Sequence, residues 1–320
     1  MKVFVTRKIP EVGLSLLRKH FDIEINPDNR VLTKKEIIKG LKGKDGLLCL
    51  LTDTIDRDVI FSEPKLKMIS SYAVGYNNID IEAATERGIP VSNTPGVLTD
   101  ATAEMTWALL FSTARRIVEG DIFTRSGKFQ GWDPMLMHGM DISGKTLGII
   151  GAGRIGTAFA LKSKGLNMKI LYVAGKTNKT LEKELNAKKV TLIELLKNSD
   201  FISLHVPLNK QTHHMISEKE LKMMKKTAVL INTSRGPVVD EKALVKALEK
   251  KQIFGAGLDV YENEPEIHPD LIKLDNVVLQ PHSASATTSS RTNMAIMAAK
   301  NMITGLNGEL PPNCVNKEVF

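Results

Sequence analysis

Cysteines and long apolar segments are scarce in this sequence. Its 320 residues include only two cysteines, Cys49 and Cys314, so no disulfide framework is expected. No apolar run reaches the roughly 18 residues that a membrane-spanning helix needs. These absences favour a protein of the reducing cytoplasm that has no membrane partner. Cys49 lies in an apolar run, and we expect it to be an ordinary core residue.

The sequence also lacks patterns for binding nucleic acid or metal, although its formal net charge is +8. The lysines are spread along expected helical stretches such as 179–189 and 219–226, where glutamates interrupt them. No zinc-finger spacing, RNA-binding signature or long basic tail accompanies them. His213 and His214 are adjacent, but no cysteine or carboxylate follows at a spacing typical of metal ligands. We therefore predict neither nucleic acid nor metal as a ligand.

What the sequence does contain is a regular alternation of apolar, β-branched segments with helical patterns. This alternation is typical of parallel sheets covered by helices on both faces. A chain of 320 residues is long enough for two domains with separate cores. Turn-forming residues at 94–96 interrupt the alternation and mark a domain edge. The predicted fold class is therefore α/β with two parallel-sheet domains, one made of residues 1–99 and 288–320 and the other of residues 100–287.

Three segments lie outside the repeating strand and helix pattern. Residues 100–118 form a long, mostly apolar pattern that predicts one helix crossing between the domains. Residues 125–140 are polar and have no clear period, and a loop of this length usually has a function or forms an interface. The last helical pattern, 287–306, is rich in Met and Ala, and we expect it to pack on the first domain.

A glycine-rich motif follows the predicted strand 145–150 and opens a helix. It reads Gly151-Ala152-Gly153-Arg154-Ile155-Gly156. Between a buried strand and a helix, this spacing is a strong signal for dinucleotide binding. Gly151 allows the tight turn, Gly153 lets the backbone approach a pyrophosphate, and Gly156 lets the helix and the strand pack closely. The N-terminus of the helix then faces the negative charge of the pyrophosphate.

The segment that should bind the adenosine ribose departs from the usual pattern. An NAD site usually has Asp or Glu at the end of the next strand, about 20 residues beyond the first glycine. Here the strand 168–173 runs into 174–178, and no carboxylate occurs before Glu182. Lys176, with Arg154 nearby, suits a 2′-phosphate better than a bare ribose. We favour NADP(H) as the cofactor, and NAD(H) stays open.

Three polar residues follow successive predicted strands of the second domain. Arg235 comes after strand 228–232, Glu264 after 255–260, and His282 after 277–280. Ligands bind beyond the carboxyl ends of strands in such sheets, so these side chains are expected at one edge. Arginine can hold the carboxylate of a 2-oxo acid, and histidine can protonate the reduced carbonyl. A neighbouring carboxylate orients the histidine and favours its charged form.

Taken together, these segments resemble the D-isomer-specific 2-hydroxyacid dehydrogenases, most closely the branch of glyoxylate and hydroxypyruvate reductases. The matching segments span nearly the whole chain; they are 72–80, 151–156, 232–240, 257–265 and 281–287. The resemblance implies two doubly wound domains: a Rossmann-type cofactor domain and a flavodoxin-like substrate domain that includes the C-terminal helix. It also implies a homodimer, and the stretch around Trp132 resembles an arm that reaches the active site of the partner subunit.

The resemblance implies roles for individual residues as well. Val74 and Gly75 would offer backbone N–H groups to the substrate carboxylate, which Arg235 would clamp. Glu264 and His282 would form the acid–base pair. The implied cofactor contacts are Asp259, at the nicotinamide amide, and a set of residues that line the cofactor cleft: Thr102, Pro207, Thr212, Thr233 and Ser285.

The residues leave three functions open. The first is a reductase that converts glyoxylate or hydroxypyruvate to glycolate or D-glycerate. The second is an NAD-dependent dehydrogenase of the D-lactate type. The third is a corepressor-like module that keeps the fold and the cofactor but lacks catalysis. The presence of Arg235, Glu264 and His282 argues against the third function.

Overall fold

The structure is a computed structural model that describes all 320 residues, and these form two compact units. One unit combines Met1–Leu98 with Ala286–Phe320, and the other is Thr99–Ser285. The sequence predicts 1–99 with 288–320 and 100–287, so each expected edge lies one or two residues from the edge in the structure. No helix is both long enough and apolar enough to cross a membrane.

Strands and helices alternate in both units, as the sequence pattern predicts. The strands are β1 (Lys2–Val5), β2 (Asp22–Ile25), β3 (Gly46–Cys49), β4 (Met68–Ser71), β5 (Val91–Ser92), β6 (Thr146–Ile150), β7 (Lys169–Val173), β8 (Lys188–Lys189), β9 (Phe201–Leu204), β10 (Val229–Asn232), β11 (Gly255–Leu258) and β12 (Val277–Leu279). The α-helices are α1 (Glu11–Arg18), α2 (Lys34–Leu41), α3 (Arg57–Phe61), α4 (Ile81–Glu86), α5 (Thr99–Ala114), α6 (Ile117–Arg125), α7 (Arg154–Leu161), α8 (Lys179–Leu185), α9 (Leu192–Asn198), α10 (Glu218–Met223), α11 (Glu241–Glu249) and α12 (Thr288–Leu306).

The first unit contains a five-stranded parallel sheet in the order β2-β1-β3-β4-β5, which is the flavodoxin-like order. Strands β3 and β4 are buried along their whole length, which accounts for their continuous apolar or small-residue sequences. Helix α12 packs on α1 and β4, as predicted, and its backbone carbonyls accept hydrogen bonds from Ser70 and Tyr72. The C-terminal helix therefore completes the core of a unit that begins at residue 1.

The second unit contains a seven-stranded parallel sheet in the order β12-β11-β10-β9-β6-β7-β8. Counted from β6, this is the doubly wound order 3-2-1-4-5-6 with one further strand at the edge. The direction of winding changes between β6 and β9, and ligands bind at such a point, beyond the carboxyl ends of the strands. The predicted fold class of two doubly wound parallel-sheet domains is confirmed.

The single helix predicted over 100–118 is wrong only at its end, where the chain breaks after Ala114. Helix α5 ends at Ala114, and Arg116 takes a left-handed conformation (φ 51°) before α6 begins. The returning chain explains the break, because the N–H of Met140 donates to the carbonyl oxygen of Ala114 at 2.8 Å. A Cβ on Gly139 would lie 2.4 Å from that oxygen. The helix therefore ends through a contact with distant residues that local sequence does not reveal.

The helical stretch predicted over 179–189 is also too long. Helix α8 ends at Leu185, and Asn186 takes the left-handed conformation that commonly closes a helix. Lys188 and Lys189 then form the edge strand β8, which pairs with β7. A two-residue strand of lysines has no alternating apolar pattern, so nothing in the sequence predicts it. Lysines on an edge strand are common because they discourage pairing with another chain.

Candidate active site

The loops that carry Arg235, Glu264 and His282 leave the same edge of the second sheet. Strand β10 pairs in parallel with β11, and β11 pairs in parallel with β12. Each of the three residues follows the carboxyl end of one of these strands. The three loops therefore leave neighbouring strands of one sheet within a single unit.

The side chains of His282 and Glu264 are in direct contact. The imidazole Nδ1 lies 2.7 Å from the Glu264 Oε2, and both side chains keep about a quarter of their surface exposed, at 24% and 25%. His282 has a left-handed backbone (φ 51°), a conformation that is uncommon outside glycine and often found at functional sites. With Nδ1 held by Glu264, Nε2 is the ring nitrogen left to meet a substrate.

The charge of Glu264 depends on its neighbours. Burial alone would raise the pKa of its carboxyl group. Four favourable contributions outweigh burial and lower the pKa below its ordinary value: the hydrogen bond from His282, the charge of His282, the N–H of Tyr261 at 3.0 Å, and the charge of Arg235. Glu264 is therefore a carboxylate in the native site, and it can orient His282 and stabilise its charged form.

Arg235 belongs to the same electrostatic group. Burial lowers the pKa of its guanidinium, and the nearby carboxylate of Glu264 opposes this effect. An arginine side chain keeps its charge in proteins, and its planar donors match a carboxylate. Its loop packs tightly against the loop of Glu264, since a Cβ on Gly236 would lie only 1.8 Å from the carbonyl oxygen of Tyr261. Glycine is required there for the two loops to approach so closely.

Asp259 holds the loop that contains His282. Its carboxylate is fully buried and accepts the backbone N–H groups of Ser283 at 2.7 Å and Ala284 at 2.8 Å. Burial raises the pKa of Asp259, although these two hydrogen bonds and the charge of His282 oppose the increase. The observed contacts fix the backbone beside His282. The contact of Asp259 with a nicotinamide amide stays a prediction.

The glycine-rich motif forms a turn at the carboxyl end of β6. Gly151 has a positive φ of 101°, and a Cβ on it would lie 2.7 Å from the carbonyl oxygen of His205. A Cβ on Gly156 would lie 2.2 Å from the carbonyl oxygen of Gly151, so the helix packs directly against the turn. A Cβ on Gly153 would meet no protein atom within 4 Å. The space above Gly153 is therefore open for a group that needs close contact with the backbone.

Helix α7 begins without a side-chain cap. Its N-cap is Gly153, whereas Asn178, Thr191 and Asp240 cap other helices of this unit with side-chain oxygens. The first N–H groups of a helix have no partner within the helix, and an uncapped N-terminus leaves them for a ligand. Arg154 and Ile155 occupy this first turn. Together, the open turn and the free helix end fit the pyrophosphate of a dinucleotide.

The loop after β7 also carries positive charge, as the sequence predicts. Lys176 is exposed in this loop, and Glu182 is engaged by the hydroxyl group of Tyr172, which donates to it at 2.8 Å. The structure adds Lys189, whose Nζ donates to the carbonyl oxygen of Gly175 at 3.3 Å. Sequence analysis missed Lys189 because it belongs to the unexpected strand β8. Two ammonium groups therefore lie at the loop where an adenosine ribose is expected.

Four of the remaining predicted cofactor residues of this unit take part in local hydrogen bonds. The hydroxyl group of Thr106 contacts the carbonyl oxygen of Thr102 at 2.7 Å and the hydroxyl group of Thr233 at 2.9 Å. Thr212 donates to the carbonyl oxygen of Pro207 at 2.6 Å in the loop that follows β9. Ser285 ends the unit, shortly after the loop of His282. Their contact with a cofactor stays a prediction.

Val74 and Gly75 lie in the other unit, in the turn that follows β4. The carbonyl oxygen of Val74 accepts a hydrogen bond from Asn93 at 2.7 Å, which fixes the turn. The backbone N–H groups of both residues make no hydrogen bond to another backbone group. They are therefore available for a ligand, and their proposed contact with a substrate carboxylate stays a prediction.

His205 is confirmed as a packing residue. Its ring lies 5.3 Å from that of Phe159, and its Nε2 is 2.9 Å from the hydroxyl group of Ser203. Burial lowers the pKa of His205 to about 3, so this imidazole is neutral at physiological pH. His205 therefore packs beside the turn of Gly151, and its neutral ring adds no charge to the site.

Comparisons with known proteins agree with this geometry. The family model described as "D-isomer specific 2-hydroxyacid dehydrogenase, NAD binding domain" matches residues 107–284. A glyoxylate reductase of Thermococcus litoralis is 53% identical over 100% of this chain and 98% of its own length.

Solved structures are similar over the whole chain as well. A Thermus thermophilus protein has a TM-score of 0.93 at 42% identity and covers 98% of this chain and 100% of its own. An NADPH-dependent glyoxylate/hydroxypyruvate reductase from Sinorhizobium meliloti, solved with NADP and malonate, has a TM-score of 0.88 at 29% identity. That match covers 100% of this chain and 98% of the other. The likeness therefore extends through both units and is not confined to the glycine motif.

Proposed function

This chain belongs to the D-isomer-specific 2-hydroxyacid dehydrogenase family, and we propose that it reduces glyoxylate, and also hydroxypyruvate, to the 2-hydroxy acid. The enzyme class is an oxidoreductase that uses a nicotinamide cofactor and acts on small 2-oxo acids. The observation that carries the proposal is the 2.7 Å contact between His282 and Glu264, with the charge of Arg235 acting on the same carboxylate.

Each side chain then has a defined task in the reduction. Arg235 binds the carboxylate of the 2-oxo acid through two parallel N–H groups and so orients the carbonyl group. When bound, the reduced cofactor supplies the hydride that the carbonyl carbon accepts. His282 donates the proton from Nε2 to the carbonyl oxygen, which becomes the hydroxyl group. Glu264 holds the imidazole in place and stabilises its charge before the proton leaves.

Backbone groups also bind ligands in this proposal. The unit Thr99–Ser285 binds the cofactor, with its pyrophosphate at Gly153 and the first turn of α7. The unit formed by Met1–Leu98 and Ala286–Phe320 contributes the backbone N–H groups of Val74 and Gly75 to the substrate carboxylate. The support for the second assignment is that these two N–H groups bind no other backbone group.

We further propose that NADPH is preferred over NADH. No carboxylate is free at the loop after β7 to bind a 2′-hydroxyl group, because Glu182 is engaged with Tyr172. Lys176 and Lys189 instead place ammonium groups at this loop, and these attract the charge of a 2′-phosphate. The Sinorhizobium meliloti relative, described as NADPH-dependent, supports the same preference.

Replacing Lys176 tests the cofactor preference. In Lys176→Ala we expect the dissociation constant of NADPH to rise by about tenfold, since one charge-assisted hydrogen bond contributes about 1.5 kcal/mol or more, while that of NADH changes little. Fluorescence titration measures both constants. Lys197→Ala, which removes an exposed lysine of α9, is the matched control and should change neither. Equal weakening of both cofactors in Lys176→Ala would contradict the proposal.

We propose that the protein is a homodimer formed through α6 and the loop that follows it. Large apolar side chains are exposed along this segment, and such a surface marks an interaction site. Trp132 is 86% exposed and lies in the stretch proposed to reach the partner subunit. The other exposed apolar residues of the segment are Ile117, Val118, Ile122, Phe129 and Met135. The cytoplasmic location stays a prediction from the sequence.

A substrate and cofactor panel tests the proposed function. Oxidation of NADPH and NADH is followed separately with glyoxylate, hydroxypyruvate and pyruvate. We expect the highest kcat/KM with glyoxylate and NADPH, and hydroxypyruvate should give D-glycerate. A clear preference for pyruvate with NADH would instead support the D-lactate-type enzyme. Absence of turnover with all pairs, together with tight cofactor binding, would support the non-catalytic module.

A further inference from the structure

Two carboxylates lie close to the segment that carries Glu264, and neither takes part in the reaction described above. Glu241 is in the first turn of α11, and Glu262 is in the loop that follows β11. Each carboxylate accepts the backbone N–H of the other residue: Glu241 Oε2 from Glu262 at 2.8 Å, and Glu262 Oε2 from Glu241 at 3.1 Å. The two residues therefore form a reciprocal clamp between a helix end and a loop.

The clamp reaches both sides of the catalytic carboxylate. The second oxygen of Glu241, Oε1, accepts the N–H of His268 at 2.8 Å. A single side chain thus holds the backbone at residues 262 and 268, and Glu264 lies between them. Apart from a short bridge between residues 263 and 266, this segment has no helix or strand of its own. The position of Glu264 therefore depends on a carboxylate that is 21 residues away from Glu262 in the chain.

The clamp is largely buried, and its carboxylates are well hydrogen-bonded. The side chain of Glu241 is enclosed, and the residue is only 8% exposed. A buried carboxylate is costly unless it is well hydrogen-bonded, and Glu241 receives two N–H groups at the positive N-terminal end of α11. Glu262 is balanced in a similar way, because its Oε1 lies 2.8 Å from the Nε2 of His214.

The same cluster joins the neighbouring loops. The N–H of His214 donates to the carbonyl oxygen of Pro237 at 2.8 Å, which ties the loop of Thr212 to the loop of Arg235. The loop of Arg235 in turn packs on the carbonyl oxygen of Tyr261 through Gly236. Contacts thus run from the clamp to the loop of Arg235 as well as to the segment that carries Glu264.

We propose that Glu241 is a positioning residue for the reaction: by holding the backbone on both sides of Glu264, it keeps that carboxylate against His282. The inference rests on the proposed function, since it concerns the same acid–base pair. Glu262 and His214 complete the clamp. None of these three side chains needs to touch the substrate or the cofactor for this role.

The charge of Glu264 provides a readout that a purely structural role would not move. Burial raises its pKa, and only the contacts with His282, Tyr261 N–H and Arg235 bring the pKa below the ordinary value. Two other titratable groups face this pair. The charge of His282 lowers the pKa of Asp259 while that of Glu264 raises it, and Glu264 also raises the pKa of Tyr261. If the segment loosens, the favourable contacts weaken while burial persists. The pKa of Glu264 then rises.

The variant Glu241→Gln tests this inference in the intact enzyme. It keeps the shape of the side chain, but its amide group turns one acceptor into a donor that faces a backbone N–H. We expect kcat/KM with glyoxylate to fall between about tenfold and about a hundredfold, as small misplacements of catalytic groups do. The acid limb of kcat/KM should move to higher pH, and hydrogen exchange across 261–268 should become faster. The dissociation constant of NADPH should stay within about twofold.

Asp200→Asn is the matched control. Asp200 is another half-buried carboxylate of this unit, and it accepts the N–H of Thr146 at 2.9 Å at the opposite edge of the sheet. This change should lower the melting temperature but leave the acid limb unmoved. Glu262→Gln should reproduce the kinetic effects of Glu241→Gln, because it breaks the other half of the clamp. It guards against a folding defect specific to residue 241.

Each outcome decides the inference. A Glu241→Gln enzyme with unchanged kcat/KM and acid limb, beside an active wild type, would overturn the positioning role alone. Unchanged hydrogen exchange across 261–268 would overturn it as well, and so would an equal shift of the acid limb in Asp200→Asn. A wild type without turnover on the whole panel would contradict the proposed function, and the inference with it.

Discussion

At the scale of single residues, the site is a set of charges that depend on one another. Glu264 stays ionised because His282 and Arg235 offset the cost of its burial, and Arg235 in turn is stabilised by Glu264. The arrangement places a guanidinium beside a contacting carboxylate and imidazole, which are the groups that the proposed reaction requires. Removing any one of the three charges should therefore change the state of the other two.

The acid limb of the pH profile measures this dependence. The pKa of Glu264 is lowered from 4.5, so its contribution is present above its ordinary pKa and is lost as pH falls through the lowered value. We expect kcat/KM to hold from neutral pH to below about 4.5 and then to decline. In Glu264→Gln this limb should disappear, and activity should be low throughout. A wild-type acid midpoint above the ordinary carboxyl value would contradict the account.

The sequence pointed to the three residues of the proposed reaction but not to the contacts that hold them. Arg235, Glu264 and His282 could be identified because each follows a strand of a parallel sheet, and that rule places them at one edge. The roles of Glu241 and Lys189 could not be identified in the same way. Glu241 acts through backbone N–H groups far along the chain, and Lys189 lies in a strand too short to have a pattern.

At the scale of elements, α7 differs from its neighbours because its N-terminus has no side-chain cap. Its positive end and its free N–H groups remain available, which agrees with an anion site. The sequence predicted the turn and the start of this helix, since the glycine spacing fixes both. The boundary between α5 and α6 was not predictable, because the carbonyl oxygen of Ala114 is bound by a residue that returns from the following loop.

Gly153 allows a test of the phosphate turn without disturbing the fold. A Cβ there would meet no protein atom within 4 Å, so Gly153→Ala should leave the melting temperature of the free protein nearly unchanged. The added methyl group would occupy the space where a pyrophosphate approaches the backbone, and we expect cofactor affinity to fall by at least about tenfold. Calorimetric titration with NADPH measures this loss.

Gly165→Ala is the control for that test. Gly165 also has open space around its Cβ position, but it lies in the short turn after α7, away from the phosphate loop. This variant should bind NADPH as the wild type does. If Gly153→Ala also bound NADPH normally, the turn would not be the pyrophosphate site.

At the scale of the whole molecule, each of the two units is built on one parallel sheet, and the two sheets have different strand orders. The alternation of strands and helices was sufficient to predict this fold class, since buried parallel strands have continuous apolar sequences. Helix α12 was placed correctly because its small and apolar residues suit packing on a sheet, and it contacts β3, β4 and β5. The state of assembly belongs to this scale too, and it depends on surface residues rather than on the core.

Charge placed on α6 tests the proposed homodimer. Ile122 is 62% exposed, and Ile122→Glu should bury a charge in the interface and convert the dimer to monomers. Sedimentation velocity measures the mass. Ile193→Glu is the matched control, because Ile193 is 52% exposed on α9, outside the proposed interface, and its change should leave the mass as it was. A wild type that sediments as a monomer would contradict the proposal.

The central claim is that His282 donates a proton to the carbonyl oxygen of a small 2-oxo acid, and its most direct test is the steady-state rate of His282→Gln with glyoxylate and NADPH. The account predicts that kcat/KM falls by about a hundredfold to about ten-thousandfold, the usual contribution of an acid catalyst. It also predicts that the dissociation constant of NADPH changes by no more than about twofold. A variant that turns over glyoxylate as fast as the wild type would contradict the claim.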